Sequence, residues 1–284
     1  ALPISVDIDT AGTTLGVSGA NEAKRVQKEY MQNHRLNIPT LLMADIIHGF
    51  RTIFPIPLAL GSTWDEAAVE KMAEISAKEA AVSGLHVTFS PMVDLVRDPR
   101  WGRVMESTGE DPLLNSRLAA AMVRGYQGEN LREDNWRVAA CVKHFAAYGG
   151  ALAGRDYNTV DMSERQLREM YLPGYKAGLD AGAKLVMTSF NTVDGIPATG
   201  NQWLFRDVLR NEFGFEGVVI SDWGAIKELI PHGVAKDEKQ AAELAIKAGV
   251  DIEMMTTCYP DYLKELLEEG RIAETLIDEA VMRI

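Results

Sequence analysis

Cysteine is scarce in this sequence, with only Cys141 and Cys258 among 284 residues. The pair offers neither a metal spacing nor a disulfide framework, and both fall in apolar or near-strand stretches, so they read as buried thiols. Positive charge is also short: 29 Lys and Arg face 41 Asp and Glu, a formal charge of −12. That balance argues against nucleic acid and anionic membrane surfaces as partners. No apolar run reaches the ~18 residues of a membrane span. Phosphate cradles are missing too, since no G-x-G-x-x-G follows the first strand and no G-x-x-x-x-G-K-[ST] occurs. His48, His86, His144 and His232 lack paired or H-E-x-x-H spacing, and no carboxylate cluster has the spacing of a metal set, so no metal or cofactor is expected. Ser221 sits in no G-x-S-x-G elbow, and no Ser-His-Asp order suggests itself. The opening ALPISVDIDTAG has no basic region followed by an apolar stretch. Beginning at Ala, the chain reads as a mature or trimmed product, and its compartment, cytoplasmic or periplasmic or secreted, stays open.

What is present is a repeated unit of short apolar strand and longer amphipathic helix. TTLGV (13–17) precedes a helical pattern at 20–35, and PTLLMA (39–44) precedes another at 65–84. In that second helix Ala68, Met72, Ile75, Ala77 and Val82 are expected to form the inner face. HVTFSP (86–91) leads to 111–128. RVAACVKHF (137–145) leads to 162–182, where Ser163 and Gln166 have capping-box spacing. AKLVMTSF (183–190), GVVIS (217–221) and VDIEM (250–254) complete the series. Strands that are β-branched and unalternating read as covered on both faces, the mark of a parallel sheet. Seven such units predict an α/β fold, a (β/α)8 TIM-barrel-like domain with one strand degenerate or outside the sequence. An open doubly wound sheet is the alternative.

In either fold, chemistry collects at the C-terminal ends of strands. The polar residues there are Asp45, the segment Pro91 to Asp94, Lys143, His144, Asn191, Asp222 and Glu253. Three long irregular stretches, 45–63, 91–110 and 145–161, follow strands and belong to the same face. The densest is DPRWGRVMESTGEDP (98–112). Arginine forks bind carboxylates in pairs, so Arg100 and Glu110 read as staples of this loop, while Arg103 beside Trp101 reads equally as staple or ligand contact. Lys143 and His144 are adjacent on one strand, so one is expected to point into the mouth and the other sideways. With Asp45 and Arg155 they make a set suited to polyhydroxyl ligands, and Trp223 offers a stacking face for a sugar ring. The residues by themselves leave open a sugar pocket, another small-molecule enzyme and a non-catalytic barrel.

Longer motifs narrow this. LMADIIHGFRTIFPIPLALGSTWD (42–65), FSPMVDLVRDPRWGRVMESTGEDP (89–112), CVKHFAAYGG (141–150), GRDYNTVDMSERQLREMYLPGY (154–175), VMTSFNTVDGIPATGN (186–201) and GVVISDWGAI (217–226) follow one another. In this order the chain resembles the family 3 glycoside hydrolases, especially their bacterial β-glucosidase branch, from about residue 20 to the C-terminus. The resemblance implies a retaining exo-acting enzyme that removes a terminal β-linked glucosyl residue from small β-glucosides or oligosaccharides. Asp222 in SDW is then the implied nucleophile, and Asp45 the carboxylate that clamps ring hydroxyls. Arg103, Lys143, His144 and Arg155 are the implied further ligands of the ring, with Met187 and Phe190 in the segment lining the pocket. Phe190 stands in MTSFN where many members have a tyrosine-bearing run, so a hydroxyl is lost there. KHFAAYGG also departs from the histidine-bearing loop of the β-N-acetylglucosaminidase branch, which argues against a general acid from that loop. β-Xylosidase specificity is the other alternative.

In the resembling β-glucosidases the acid/base is a Glu on a following α/β-sandwich domain. The expectation is therefore that residues 1–284 form the N-terminal barrel domain only. The sandwich domain is the implied partner, and the uncovered barrel surface is expected to favour self-association.

Overall fold

The structure, a computed structural model, describes residues 11–17 and 19–284. The opening stretch ALPISVDIDT lies outside them. One parallel sheet contains β1 Thr13–Leu15, β2 Leu41–Ala44, β3 Val87–Thr88, β4 Ala139–Phe145 and β5 Leu185–Thr188. After a small antiparallel ribbon of β6 Thr192–Val193 and β7 Ile196–Pro197 it ends with β8 Val218–Ile220. A further strand position follows β8, where Ile252 bridges Ile220 in parallel. The strand expected at 250–254 is thus reduced to a single bridge.

A doubly wound sheet reverses its strand order part-way and covers both faces with helices. Here the order of the sheet never reverses. Its concave face packs on itself: Met43, Phe89, Cys141, Met187, Ile220 and Met254 belong to an interior cluster distinct from the larger apolar layer that includes the helices. The result is a curled half-barrel of TIM type, as the strand composition predicts. Both cysteines are buried and free.

The helices begin where their caps say they should. Asp65 accepts from the Ala68 N–H at 3.0 Å, Asp111 from the Leu114 N–H at 2.8 Å, and Ser163 from the Gln166 N–H at 3.2 Å. Each side chain supplies an acceptor to an amide that lacks an intrahelical partner. The inner face of Glu66–Val82 differs from the expected one. It consists of Val69, Met72, Ala73, Ser76, Ala77 and Ala80, while Ala68 and Val82 are exposed. The reason is close helix packing, because a Cβ at Gly125 on the neighbouring helix would lie 2.4 Å from the Glu70 carbonyl oxygen and 2.6 Å from the Ala73 Cβ. Small residues define that seam, and the larger Ile75 flanks it.

At the opposite end of the sheet from the strand C-termini, Asp251 is buried. It accepts from the Val219 N–H at 2.8 Å, from Arg210 Nη2 at 2.9 Å and from Arg283 Nη1 at 2.9 Å. Removing one partner of a buried ion pair leaves the other uncompensated, at a cost of about 3–5 kcal/mol. Asp251→Ala is therefore expected to lower the unfolding free energy by about 3 kcal/mol in a urea titration, with the site at the far end unaltered.

Candidate active site

β8 runs into the turn Ser221–Ala225, which explains the sequence SDWG. The Ala225 N–H donates to the Asp222 carbonyl at 3.1 Å, and Gly224 has φ 69°, a left-handed value that glycine adopts without steric cost. Ser221 is buried in the floor of this turn and accepts from the Met254 N–H at 2.8 Å, tying the strand end to the neighbouring loop. The turn throws the Trp223 indole outward, 59% exposed, and turns the Asp222 carboxylate inward.

That carboxylate is held on one side only. Its Oδ1 accepts from the Trp223 N–H at 2.6 Å, and its own N–H donates to Thr188 Oγ1 at 3.2 Å. Oδ2 is sealed from solvent and has no hydrogen-bond partner among the described residues. His144 Nε2 lies 3.4 Å from it, in contact but not hydrogen-bonded. Asp222 caps no helix.

β4 brings two more residues. Lys143 Nζ donates to Asp45 Oδ1 at 2.6 Å, across from the end of β2. Lys143 is buried and Asp45 exposed, so the pair joins the interior to the surface. Beside it, His144 is 1% exposed, and both residues belong to the same mouth. This differs from the expected alternation. The ladder between β4 and β5 shifts register between Val142 and Phe145, and such an irregularity re-aims side chains that would otherwise point apart. His144 also differs from Lys143 in charge. Burial, then the positive charge of Arg103, push its pKa well below the ordinary value, so it is neutral.

The loop at 98–112 is partly stapled as expected. Arg100 pairs with Asp98 at 2.6 Å, and Arg103 makes a bidentate pair with Glu106 at 2.7 and 2.8 Å. Glu110 is exposed and belongs to neither pair, and Asp111 is the helix cap described above. Arg103 does more than staple, since its guanidinium lies over the Tyr148 ring at 5.8 Å and senses the charges of Asp94 and Asp222. Burial alone would raise the Glu106 carboxyl, but Arg103 outweighs it and holds the pKa below the ordinary value.

The other expected residues are distributed around this centre. Met187 is part of the interior cluster, 2% exposed. Phe190 packs with Met92, Trp101, Tyr148 and Ala225 to form an aromatic wall, and the exposed Tyr157 leans on it with ring centroids 4.6 Å apart. Arg155 is exposed on the loop after β4. Its neighbour Asp156 accepts from Trp101 Nε1 at 3.0 Å, which joins that loop to the stapled one. Glu253, a strand-end acid in the sequence, caps a helix instead, accepting from the Cys258 and Tyr259 N–H groups at 2.9 and 2.7 Å.

Two acids and a tyrosine near the centre escape the motif reading. Asp94 and Tyr175 are fully buried against His144. Glu228, half-buried one turn beyond SDWG, has its pKa raised by burial and by the charge of Asp222. Asp94 sits among the strand-end polar residues and was legible as such, whereas nothing in its spacing marked Glu228. No group of three or more His, Cys, Asp or Glu able to hold a metal occurs among the described residues.

The arrangement is a carboxylate with one unpartnered oxygen, ringed by a lysine, a neutral histidine, an arginine and a wall of aromatic rings. Residues 11–284 match the model of the glycosyl hydrolase family 3 N-terminal domain. The chain belongs to that family. Among its relatives, the periplasmic β-glucosidase of Salmonella typhimurium is 46% identical over 263 residues, which is 93% of this family 3 chain and 34% of that protein. A β-xylosidase of Formosa agariphila is 36% identical over 89% of the chain and 38% of that enzyme. The crystal structure of the β-glucosidase of Listeria innocua in complex with isofagomine superposes with a TM-score of 0.96 at 61% identity, covering 97% of this chain and 39% of that one. The family 3 chain thus spans between a third and two-fifths of the length of these relatives.

Proposed function

We propose that this chain carries the nucleophile and the sugar-binding half of a retaining β-glucosidase that releases terminal β-D-glucosyl residues. The observation that carries the reading is the half-held carboxylate of Asp222 at the end of β8, with one oxygen fixed by a backbone N–H and the other without a hydrogen-bond partner among the described residues. In the first step the Asp222 carboxylate attacks the anomeric carbon. The C1–O bond to the leaving group breaks, and the leaving oxygen takes a proton from a general acid. In the second step water, deprotonated by the same group, displaces Asp222 and restores the β configuration. Asp45 accepts from ring hydroxyls, and Lys143 and Arg103 donate to them. Arg155, Phe190 and Met187 complete the surroundings, and the exposed indole of Trp223 meets the apolar face of a sugar.

The general acid is assigned to a following α/β-sandwich domain. Glu106 is unsuited, because an acid at neutral pH needs a raised pKa and Arg103 lowers this one. The exposed Trp223, Tyr157 and Met255 leave apolar surface beside Asp222, a surface such a domain would cover and through which the chain alone would self-associate. The glucosidase reading is favoured over xylosidase by the 46% and 61% identity to the Salmonella and Listeria β-glucosidases, against 36% to the Formosa β-xylosidase. Nitrophenyl β-glucoside should be cleaved faster than nitrophenyl β-xyloside, and the reverse preference would overturn the choice.

Lys143 supplies a further test. Its only protein partner among the described residues is the exposed Asp45, so two of its donors are available to ligand. Hydrogen bonds to charged groups contribute about 1.5–3 kcal/mol, so Lys143→Ala should lower kcat/KM by roughly 10- to 150-fold. Circular dichroism melting should show the fold retained. A loss of cooperative melting with no separable kinetic effect would mean that Lys143 serves the fold.

A further inference from the structure

Behind His144 lies a network that no contact with sugar explains. Asp94 is fully buried, and its Oδ2 receives the His144 backbone N–H at 3.1 Å and faces His144 Nδ1 at 2.7 Å. Its Oδ1 is 2.8 Å from the Tyr175 hydroxyl, which also lies 2.5 Å from the His144 carbonyl oxygen and accepts from the Ala147 N–H at 3.1 Å. Three elements therefore converge on one imidazole: the loop after β3, the end of β4 and the helix Leu172–Asp180.

The protons in this network can be placed. A hydrogen on Nδ1 completes a 2.7 Å bond to Asp94. A hydrogen on Nε2 would find nothing comparable, because Asp222 Oδ2 is 3.4 Å away and without a hydrogen-bond partner. A buried N–H left unpaired is costly, so the Nδ1–H form is favoured and the Nε2 lone pair faces the mouth. The form of Asp94 does not alter this. Burial lifts its pKa to about 6, and the geometry accommodates either state: ionised, Oδ1 accepts from Tyr175; protonated, Oδ1–H donates to Tyr175 while Tyr175 donates to the His144 carbonyl. In both, Oδ2 remains the acceptor for Nδ1–H. Arg103 and Lys143 are the cations near enough to bias the pair, and Glu106 and Asp222 the nearby acids.

We propose that Asp94 is a positioning residue of the site. It locks His144 in the Nδ1–H tautomer, so that Nε2, 3.4 Å from Asp222 Oδ2, is left as an acceptor for a substrate hydroxyl. A lone pair on Nε2 calls for a donor, and a sugar hydroxyl is such a donor. This rests on the glucosidase reading for the identity of the ligand, but not for the tautomer.

The test is made on the whole 284-residue chain with ¹⁵N-labelled histidine, His144 being assigned by its absence in His144→Gln. The ligand-free protein is expected to show His144 protonated at Nδ1 alone. Asp94→Asn, whose carboxamide reproduces the protonated acid with the oxygen toward Nδ1 and the NH₂ toward Tyr175, should keep that pattern and stay within a few-fold of the parent kcat/KM for nitrophenyl β-glucoside. Asp94→Leu, close in size but with no acceptor, should release the tautomer and lower kcat/KM on the order of 10-fold or more. An Nε2–H tautomer in the parent overturns the proposal, as does an Asp94→Asn loss equal to that of Asp94→Leu, which would assign the effect to the charge of Asp94. Should Asp94→Leu fail to fold, the parent spectrum and Asp94→Asn decide the matter. Absence of glucoside turnover in every variant and in the parent would count against the glucosidase reading, with the tautomer still read directly.

Discussion

Asp222→Asn is expected to abolish covalent labelling by a 2-deoxy-2-fluoro-β-glucoside and to lower nitrophenyl glucoside turnover by roughly 10⁴-fold or more. The fold should survive. The carboxamide oxygen can still accept from the Trp223 N–H, now 2.6 Å from Oδ1, and the Gly224 turn does not depend on charge. The new NH₂ would stand where Oδ2 is, 3.4 Å from His144 Nε2, and if that nitrogen is an acceptor the variant gains a hydrogen bond rather than losing one. Its melting temperature should therefore equal or exceed that of the parent. Peptide mass spectrometry of the labelled parent locates the nucleophile independently. A label on any other residue, or labelling of the variant at the parent rate, would remove Asp222 from its proposed role.

The legibility of this site in the sequence follows the physics of each residue. Strand-end position alone brought out Asp45, Lys143, His144 and Asp222, because a run of β-branched residues fixes where a strand stops and parallel strands end on one face. The parallel, TIM-barrel-like sheet was legible for the same reason. What periodicity could not carry was the register shift that turns Lys143 and His144 to the same mouth, since a shift depends on the neighbouring strand. Nor could it show that His144 is neutral. Its burial and the approach of Arg103 come from separate loops. The helix face at Glu66–Val82 was misread because a seam of alanine, serine and glycine has little hydrophobic contrast, and close approach rather than apolar area selects it. Glu253 looked like a site acid because its strand-end position does not show that its carboxylate turns to the Cys258 and Tyr259 amides at the start of the next helix.

The dependence of rate on leaving group carries the other large expected effect. General acid catalysis contributes typically 10²–10⁴-fold, and a nitrophenolate departs with little need of it, whereas the sugar oxygen of cellobiose does not. If the acid/base belongs to a following domain, this chain should turn over nitrophenyl glucoside and cleave cellobiose slower by about that factor. Azide should accelerate release of the enzyme-bound sugar from nitrophenyl substrates, since an anionic nucleophile needs no base. Glu228 makes the experiment sharper. It is an acid near Asp222 whose pKa is shifted in the direction a general acid requires, raised by burial and then by the charge of Asp222, while Glu106 is shifted the other way by Arg103. With the acid on another domain, Glu228→Gln should leave the ratio of nitrophenyl glucoside to cellobiose rates unchanged. Efficient cellobiose hydrolysis by this chain, insensitive to azide and lost selectively in Glu228→Gln, would instead place the acid one turn beyond the nucleophile and make the two carboxylates a complete pair.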